Sequence, residues 1–164
     1  MTYRDAAFAA GRRLSRAAVA GAALGLLVAN PAQAAGSMSG AEKLRRMDIM
    51  LMVTGLRCRT TADNFQADYG RFTTNHIAEL NQASDELRNE IARETGAANP
   101  ARALDKLSVI MANSYGQGHP WLTCHELKAV AIALADVRGR ATLEEAADQL
   151  LSPSVPARFA YAGR

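Results

Sequence analysis

The chain has 164 residues, with 19 Lys or Arg and 16 Asp or Glu, which gives a formal net charge of +3. This length fits one domain. Four of the arginines and one acid lie in residues 1–34, so the remainder holds 15 basic and 15 acidic residues and has a net charge of zero. The high pI therefore gives no indication of nucleic-acid binding, and we predict no nucleic-acid partner.

The first 34 residues have the three parts of a secretory signal peptide. Arginines precede an uncharged apolar run at residues 17–29, Pro31 follows it, and Ala32 and Ala34 place small residues where signal peptidase requires them. We predict cleavage between Ala34 and Ala35, by ordinary secretion or by the twin-arginine route. The apolar run is shorter than the stretch of about 20 residues that a membrane-spanning helix needs, which favours a cleaved signal. An uncleaved membrane anchor is the alternative.

The two cysteines, Cys58 and Cys124, predict a disulfide bond, because an exported protein meets an oxidising compartment. Two free thiols are the alternative. The bond would close a loop of 66 residues, which stabilises the folded state by about 4 kcal/mol on the chain-entropy model.

Helical periodicity runs through the chain after the signal. We predict five helices, each opened by a capping residue or a proline. They cover residues 39–56, 60–95 if unbroken, 99–115, 120–138 and 142–151. The predicted fold is an all-α, four-helix bundle with a short fifth helix and one disulfide. The predicted domains are the signal peptide at 1–34, the helical domain at 35–151 and an irregular tail at 152–164.

Several residues within these predicted helices have two interpretations. Met47, Met50 and Met52 could bind Cu(I) as soft ligands, but core packing is the simpler reading. His76 falls on the apolar stripe of the second helix and is interpreted as a half-buried side chain with one hydrogen bond. Gly70 either permits close approach of a neighbour or marks a bend.

The segment 113–128 concentrates the unusual residues of the chain, including its only Trp. A possible binding surface there comprises Tyr115, His119, Trp121 and His125. The alternative is that these residues only hold the disulfide in position. Cys124 and Trp121 are predicted to share an inward face of the fourth helix.

The motifs for catalysis and cofactors are incomplete. His125-Glu126 lacks the second histidine of a zinc-protease helix, since position 129 is Ala. Cys124-His125 lacks the first cysteine of a c-type haem site, which is replaced by Trp121. Gly116-Gln117-Gly118 lacks the third glycine of a dinucleotide fingerprint. We predict no catalytic residues, no metal and no cofactor.

Three segments carry a resemblance to known proteins: residues 50–59 (MLMVTGLRCR), 65–72 (FQADYGRF) and 111–128 (MANSYGQGHPWLTCHELK). They are similar to small exported, all-helical bacterial proteins without established function. Some of these are labelled S-adenosyl-L-homocysteine hydrolase, so the resemblance implies that activity as an alternative. The enzyme of that name resembles a much larger NAD-dependent α/β protein, and no catalytic residue is carried over.

The sequence therefore predicts an exported, periplasmic or secreted helical protein with a non-enzymatic binding or structural role. The expected partner is a protein of the cell envelope, with no stable membrane insertion once the signal is removed. The alternatives are an S-adenosyl-L-homocysteine hydrolase and a carrier of haem or copper.

Overall fold

A computed structural model describes residues 38–152 of the chain. All of its helices lie in the second of two units, Gly36–Arg164. The predicted signal peptide and its cleavage site lie outside the described residues, as does the predicted tail after Ser152. The described part is all-α, as predicted, and contains six helices: α1 Gly40–Cys58, α2 Gln66–Asn75, α3 Ile77–Thr95, α4 Pro100–Ser114, α5 Cys124–Asp136 and α6 Arg140–Leu151.

Helix α1 is the centre of the bundle, because it contacts each of the other five helices. It begins at Ser39, whose Oγ accepts a hydrogen bond from the Glu42 amide at 3.1 Å, so this predicted cap is confirmed. Met47 and Met50 are fully buried in the main core, which confirms their reading as core residues. Met52 instead lies exposed on the outer face of α1.

Four of the other helices pack around α1 as two pairs, and α6 packs against α1 by itself. Helices α3 and α4 form a hairpin, in which Gly96 ends α3 in the left-handed conformation (φ 59°) and Asn99 caps α4. Helices α2 and α5 run side by side in the same direction, since Asp63 meets His125 before α2 and Asn75 meets Ala135 at its end. These contacts place the starts of α2 and α5 at the same end of the bundle.

The single long helix predicted at 60–95 is broken at His76, which separates α2 from α3 and makes six helices where five were predicted. His76 has a φ of −119° and a ψ of 20°, outside the helical region. Its ring is buried, and Nε2 lies 2.9 Å from the Leu134 carbonyl oxygen. The Asn75 side chain donates to the Ala135 carbonyl oxygen at 2.8 Å. The two side chains thus tie the break to α5.

The predicted starts of α2 and α6 differ from the observed ones, by six residues and by two. Helix α2 begins at Gln66 because Thr61 caps a turn instead, its Oγ1 donating to the Cys58 carbonyl oxygen at 2.8 Å. Helix α6 begins at Arg140, after Gly139 at a φ of 85°. The predicted capping box at Thr142 does not form, since Thr142 lies inside α6 and Gly139 is at the N-cap.

Among the helices of residues 38–152, none combines the length and the apolar character needed to cross a membrane.

Two helical glycines give a matched stability test. A Cβ at Gly70 would meet nothing within 4 Å, so the close-approach interpretation of Gly70 is wrong. A Cβ at Gly55 would lie 3.3 Å from Cε2 of the buried Phe65. Gly70→Ala should therefore raise the free energy of unfolding by up to about 1 kcal/mol, the helix-propensity gain. Gly55→Ala should gain less or lose stability, and urea unfolding of both variants measures the difference.

Candidate functional site

The predicted disulfide is present and joins the last residue of α1, Cys58, to the first residue of α5, Cys124. The Sγ–Sγ distance is 1.99 Å and the Cα–Cα distance is 5.8 Å. Cys58 is only 2% exposed, whereas Cys124 is partly buried. The bond therefore fixes the start of α5 against the end of the central helix.

Helix α5 starts four residues later than predicted, because Thr123 and not Pro120 opens it. Thr123 Oγ1 accepts from the Glu126 amide at 3.3 Å, and Glu126 Oε2 accepts from the Thr123 amide at 2.8 Å. This capping box satisfies amides that a helix start would otherwise leave unpaired. The hydrogen bond from the Thr123 amide also lowers the pKa of the Glu126 carboxyl.

Trp121 lies before α5 and is 39% exposed, so the predicted inward position beside Cys124 is wrong. Three rings instead form a cluster, the aromatic corner, made of Tyr115, His119 and Trp121. The Tyr115 and His119 rings stack with centroids 6.0 Å apart and planes 22° apart. The His119 and Trp121 rings meet edge to face at 4.8 Å and 88°. His119 is therefore the centre of the corner.

Both ring nitrogens of His119 are occupied by backbone groups. Nδ1 accepts from the Leu122 amide at 3.2 Å and from the Trp121 amide at 3.4 Å. Since both partners are donors, Nδ1 carries no proton, and the neutral ring carries its proton on Nε2. Nε2 then donates to the Leu150 carbonyl oxygen at 3.2 Å, at the end of α6. The ring thus connects the loop before α5 with α6.

The environment of His119 favours this neutral form. Burial lowers its pKa below the ordinary value of 6.5, while the Leu150 carbonyl and the Glu126 carboxylate act in the opposite direction. Burial also raises the pKa of the Tyr115 hydroxyl, an effect that the neighbouring Arg46 opposes. Both groups are therefore in their neutral forms near pH 7.

The loop between α4 and α5 is held from a second side by α1. Arg57 Nη1 donates to the Gly116 carbonyl oxygen at 2.9 Å. Gly118 has a φ of 108°, and a Cβ there would lie 3.6 Å from Arg57 Nε. A left-handed backbone of this kind favours glycine, so Gly118 lets the loop turn beneath the aromatic corner.

The fourth predicted surface residue, His125, has a different partner. Its side chain is 81% exposed, and Nδ1 lies 3.2 Å from Asp63 Oδ1 in the segment that precedes α2. The structure thus groups Tyr115, His119 and Trp121 by direct ring contacts and pairs His125 with Asp63. The candidate site is therefore the three-residue aromatic corner with its loop.

Two further residues of the site were missed by the sequence reasoning. Arg57 and the Leu150 carbonyl fix the corner, but an arginine near a helix end has an ordinary role in balancing the helix dipole. A backbone carbonyl has no sequence signal.

The Asp48–Tyr69 pair was also missed: the Tyr69 hydroxyl donates to Asp48 Oδ1 at 2.9 Å, and burial raises the pKa of both groups.

Three observations concern the haem and copper alternatives. Cys124 is bonded to Cys58, so its sulfur is not available for a thioether link to haem. Met47 and Met50 lie in the core and Met52 on the surface, so the three sulfurs do not share a face. Residues 38–152 contain no group of three or more His, Cys, Asp or Glu side chains placed to hold a metal ion.

The chain matches no family model, no curated protein and no solved structure. The resemblance to small exported helical proteins thus stays a prediction.

Replacing both cysteines tests how strongly the bond stabilises the bundle. The double variant C58S/C124S should lose about 4 kcal/mol of unfolding free energy, because the unfolded chain regains the freedom of a 66-residue loop. Chemical denaturation at equilibrium gives this value. Equal stability of the double variant and the oxidised parent would show that the bond contributes nothing.

Proposed function

We propose that the chain is an exported helical protein that binds a protein of the cell envelope through its aromatic corner and carries out no chemical step. The observation that carries the proposal is that Trp121 is exposed and yet held in one position by His119. Its indole is 39% exposed, yet its backbone amide and its ring both contact His119. An indole held in place at the surface loses little conformational entropy on binding, which favours an anchor residue.

The charges around the aromatic corner indicate the kind of segment that would bind. Arg57 and Arg59 are exposed at the end of α1, and Leu56 beside them is also exposed. Arg57 is held at the corner by its bond to the Gly116 carbonyl. We propose a partner segment with an apolar side chain for Trp121 and a carboxylate for Arg57, because complementary charge favours encounter and register.

The export part of the proposal has two supports. The first 34 residues have the pattern of a secretory signal. The Cys58–Cys124 bond is of a kind that forms and persists in oxidising compartments such as the periplasm. We therefore place the working protein in the periplasm or outside the cell.

The hydrolase alternative comes from the resemblance alone. It is tested directly by incubating the purified protein with S-adenosyl-L-homocysteine and measuring released homocysteine. Our proposal expects no release above a buffer control, and steady turnover that follows protein concentration would overturn it.

The aromatic corner offers a matched pair of variants for binding. Trp121→Ala removes the proposed anchor, whereas Ile132→Ala removes an apolar side chain of equal exposure, 40%, from α5. The tagged mature protein should capture an envelope protein that Ile132→Ala also captures and Trp121→Ala does not. With that protein purified, Trp121→Ala should raise Kd about 30-fold, the effect of losing about 2 kcal/mol at an anchor residue.

Two results would contradict this binding surface. One is that both variants capture the same protein as fully as the parent does. The other is equal loss of capture in both, which would indicate a general loss of apolar surface. Circular dichroism of each variant checks that the helices are retained.

The export proposal predicts the N-terminus of the mature protein. Protein recovered from the periplasm of its native host should begin at Ala35, because Ala32 and Ala34 fit signal peptidase. N-terminal sequencing or intact mass measures this. A periplasmic or membrane-bound protein that still begins at Met1 would show that the segment is an uncleaved anchor.

A further inference from the structure

We propose that His119 is a proton-operated latch, which holds Trp121 in the closed aromatic corner when neutral and releases it when protonated. The inference deepens the proposed function, because it rests on Trp121 being the contact residue and adds the means by which binding is regulated. It is carried by the geometry of the His119 ring.

The neutral ring makes three hydrogen bonds at once. Nδ1 accepts from the Leu122 and Trp121 amides at 3.2 and 3.4 Å, and Nε2 donates to the Leu150 carbonyl oxygen at 3.2 Å. The Tyr115 and Trp121 rings contact its two sides as a stack and an edge. The position of Trp121 therefore depends on one ring in one tautomer.

Protonation changes one side of this arrangement only. The added proton enters at Nδ1, which then points a donor at two backbone N–H groups and can accept from neither. Nε2 remains a donor and keeps its bond to Leu150. Since the partly buried Leu122 amide and the exposed Trp121 amide would then face a donor in place of their acceptor, the loop that carries Trp121 gains by moving away from the ring to reach water.

The charged groups facing the loop come from α1 and α5. Arg57 of α1 approaches Gly116 and Gly118, and Arg46 of α1 lies beside Tyr115, the residue that follows α4. Glu126 of α5 acts on His119 as an opposite charge. From α6 the contact is the Leu150 carbonyl, while Asp148 pairs with Lys43 at 2.8 Å. Glu126 favours an added positive charge on His119, and burial of the ring opposes it.

The direction of the pH effect follows from the lowered pKa of closed His119. Once the Trp121 segment has moved away, His119 is less buried and its pKa returns towards the ordinary 6.5, so the released form binds a proton more readily than the closed one. The closed corner is fully favoured above pH 6.5 and is lost as the pH falls towards the lowered value. Release therefore has its midpoint below pH 6.5.

Trp121 reports this change directly, since it is the only tryptophan in the chain. The experiment measures quenching of its fluorescence by acrylamide between pH 8 and pH 4, on the isolated mature protein. The quenching constant should rise with a midpoint below 6.5, while far-UV circular dichroism stays constant. NMR titration of the His119 ring protons in the same protein should give the same midpoint.

Two variants assign the proton to its residue. His119→Gln has no titrating ring and should show no pH step in quenching. His125→Gln removes the exposed histidine that pairs with Asp63 and should keep the step. A constant quenching constant in the parent protein would overturn the latch. So would a step that coincides with loss of helix, or one that His125→Gln removes. If His119→Gln does not fold, the NMR titration of the parent protein decides alone.

The latch and the binding surface fail separately. The quenching experiment needs no partner, so a missing pH step leaves the capture result for Trp121→Ala intact. Conversely, a pH step without any Trp121-dependent capture would retain the latch and overturn the proposed function.

Discussion

The covalent bond between Cys58 and Cys124 is the constraint on which the arrangement of the bundle depends. It joins the end of the helix that contacts all others to the start of α5, so two elements separated by 66 residues share one fixed point. The loop that carries His119 and Trp121 enters α5 at this point. Because the capping box of Thr123 and Glu126 lies directly beside the bond, the loop has a fixed end from which its other contacts can form.

The loop between α4 and α5 is ordered by polar contacts in addition to the burial of Tyr115. Apolar side chains such as Met47 and Met50 order the core around α1, whereas the loop depends on His119, Arg57 and a left-handed Gly118. Hydrogen bonds of this kind contribute about 1 kcal/mol each and respond to protonation. The core and the loop therefore depend on different interactions, as the proposed latch requires.

The sequence predicts the parts of the fold that local signals determine. Periodicity and capping residues gave the helical class, and the caps at Ser39 and Asn99 are confirmed. The two cysteines of a chain expected to be exported predicted the bond. The break at His76 could not be predicted, because its partner is the backbone carbonyl of Leu134, 58 residues away. The exposure of Trp121 was missed because its spacing from Cys124 fits a helix face as well as the loop it occupies. The grouping of Tyr115, His119 and Trp121 is a fact of tertiary packing.

The central claim is that the mature protein lies outside the cytosol and contains the Cys58–Cys124 disulfide bond. The most direct measurement is mass spectrometry of protein recovered from its native host, unfolded in an alkylating agent without reductant. The account predicts that neither Cys58 nor Cys124 takes up the label, and that both do after reduction. Recovery of the protein with both thiols labelled before any reduction would contradict it.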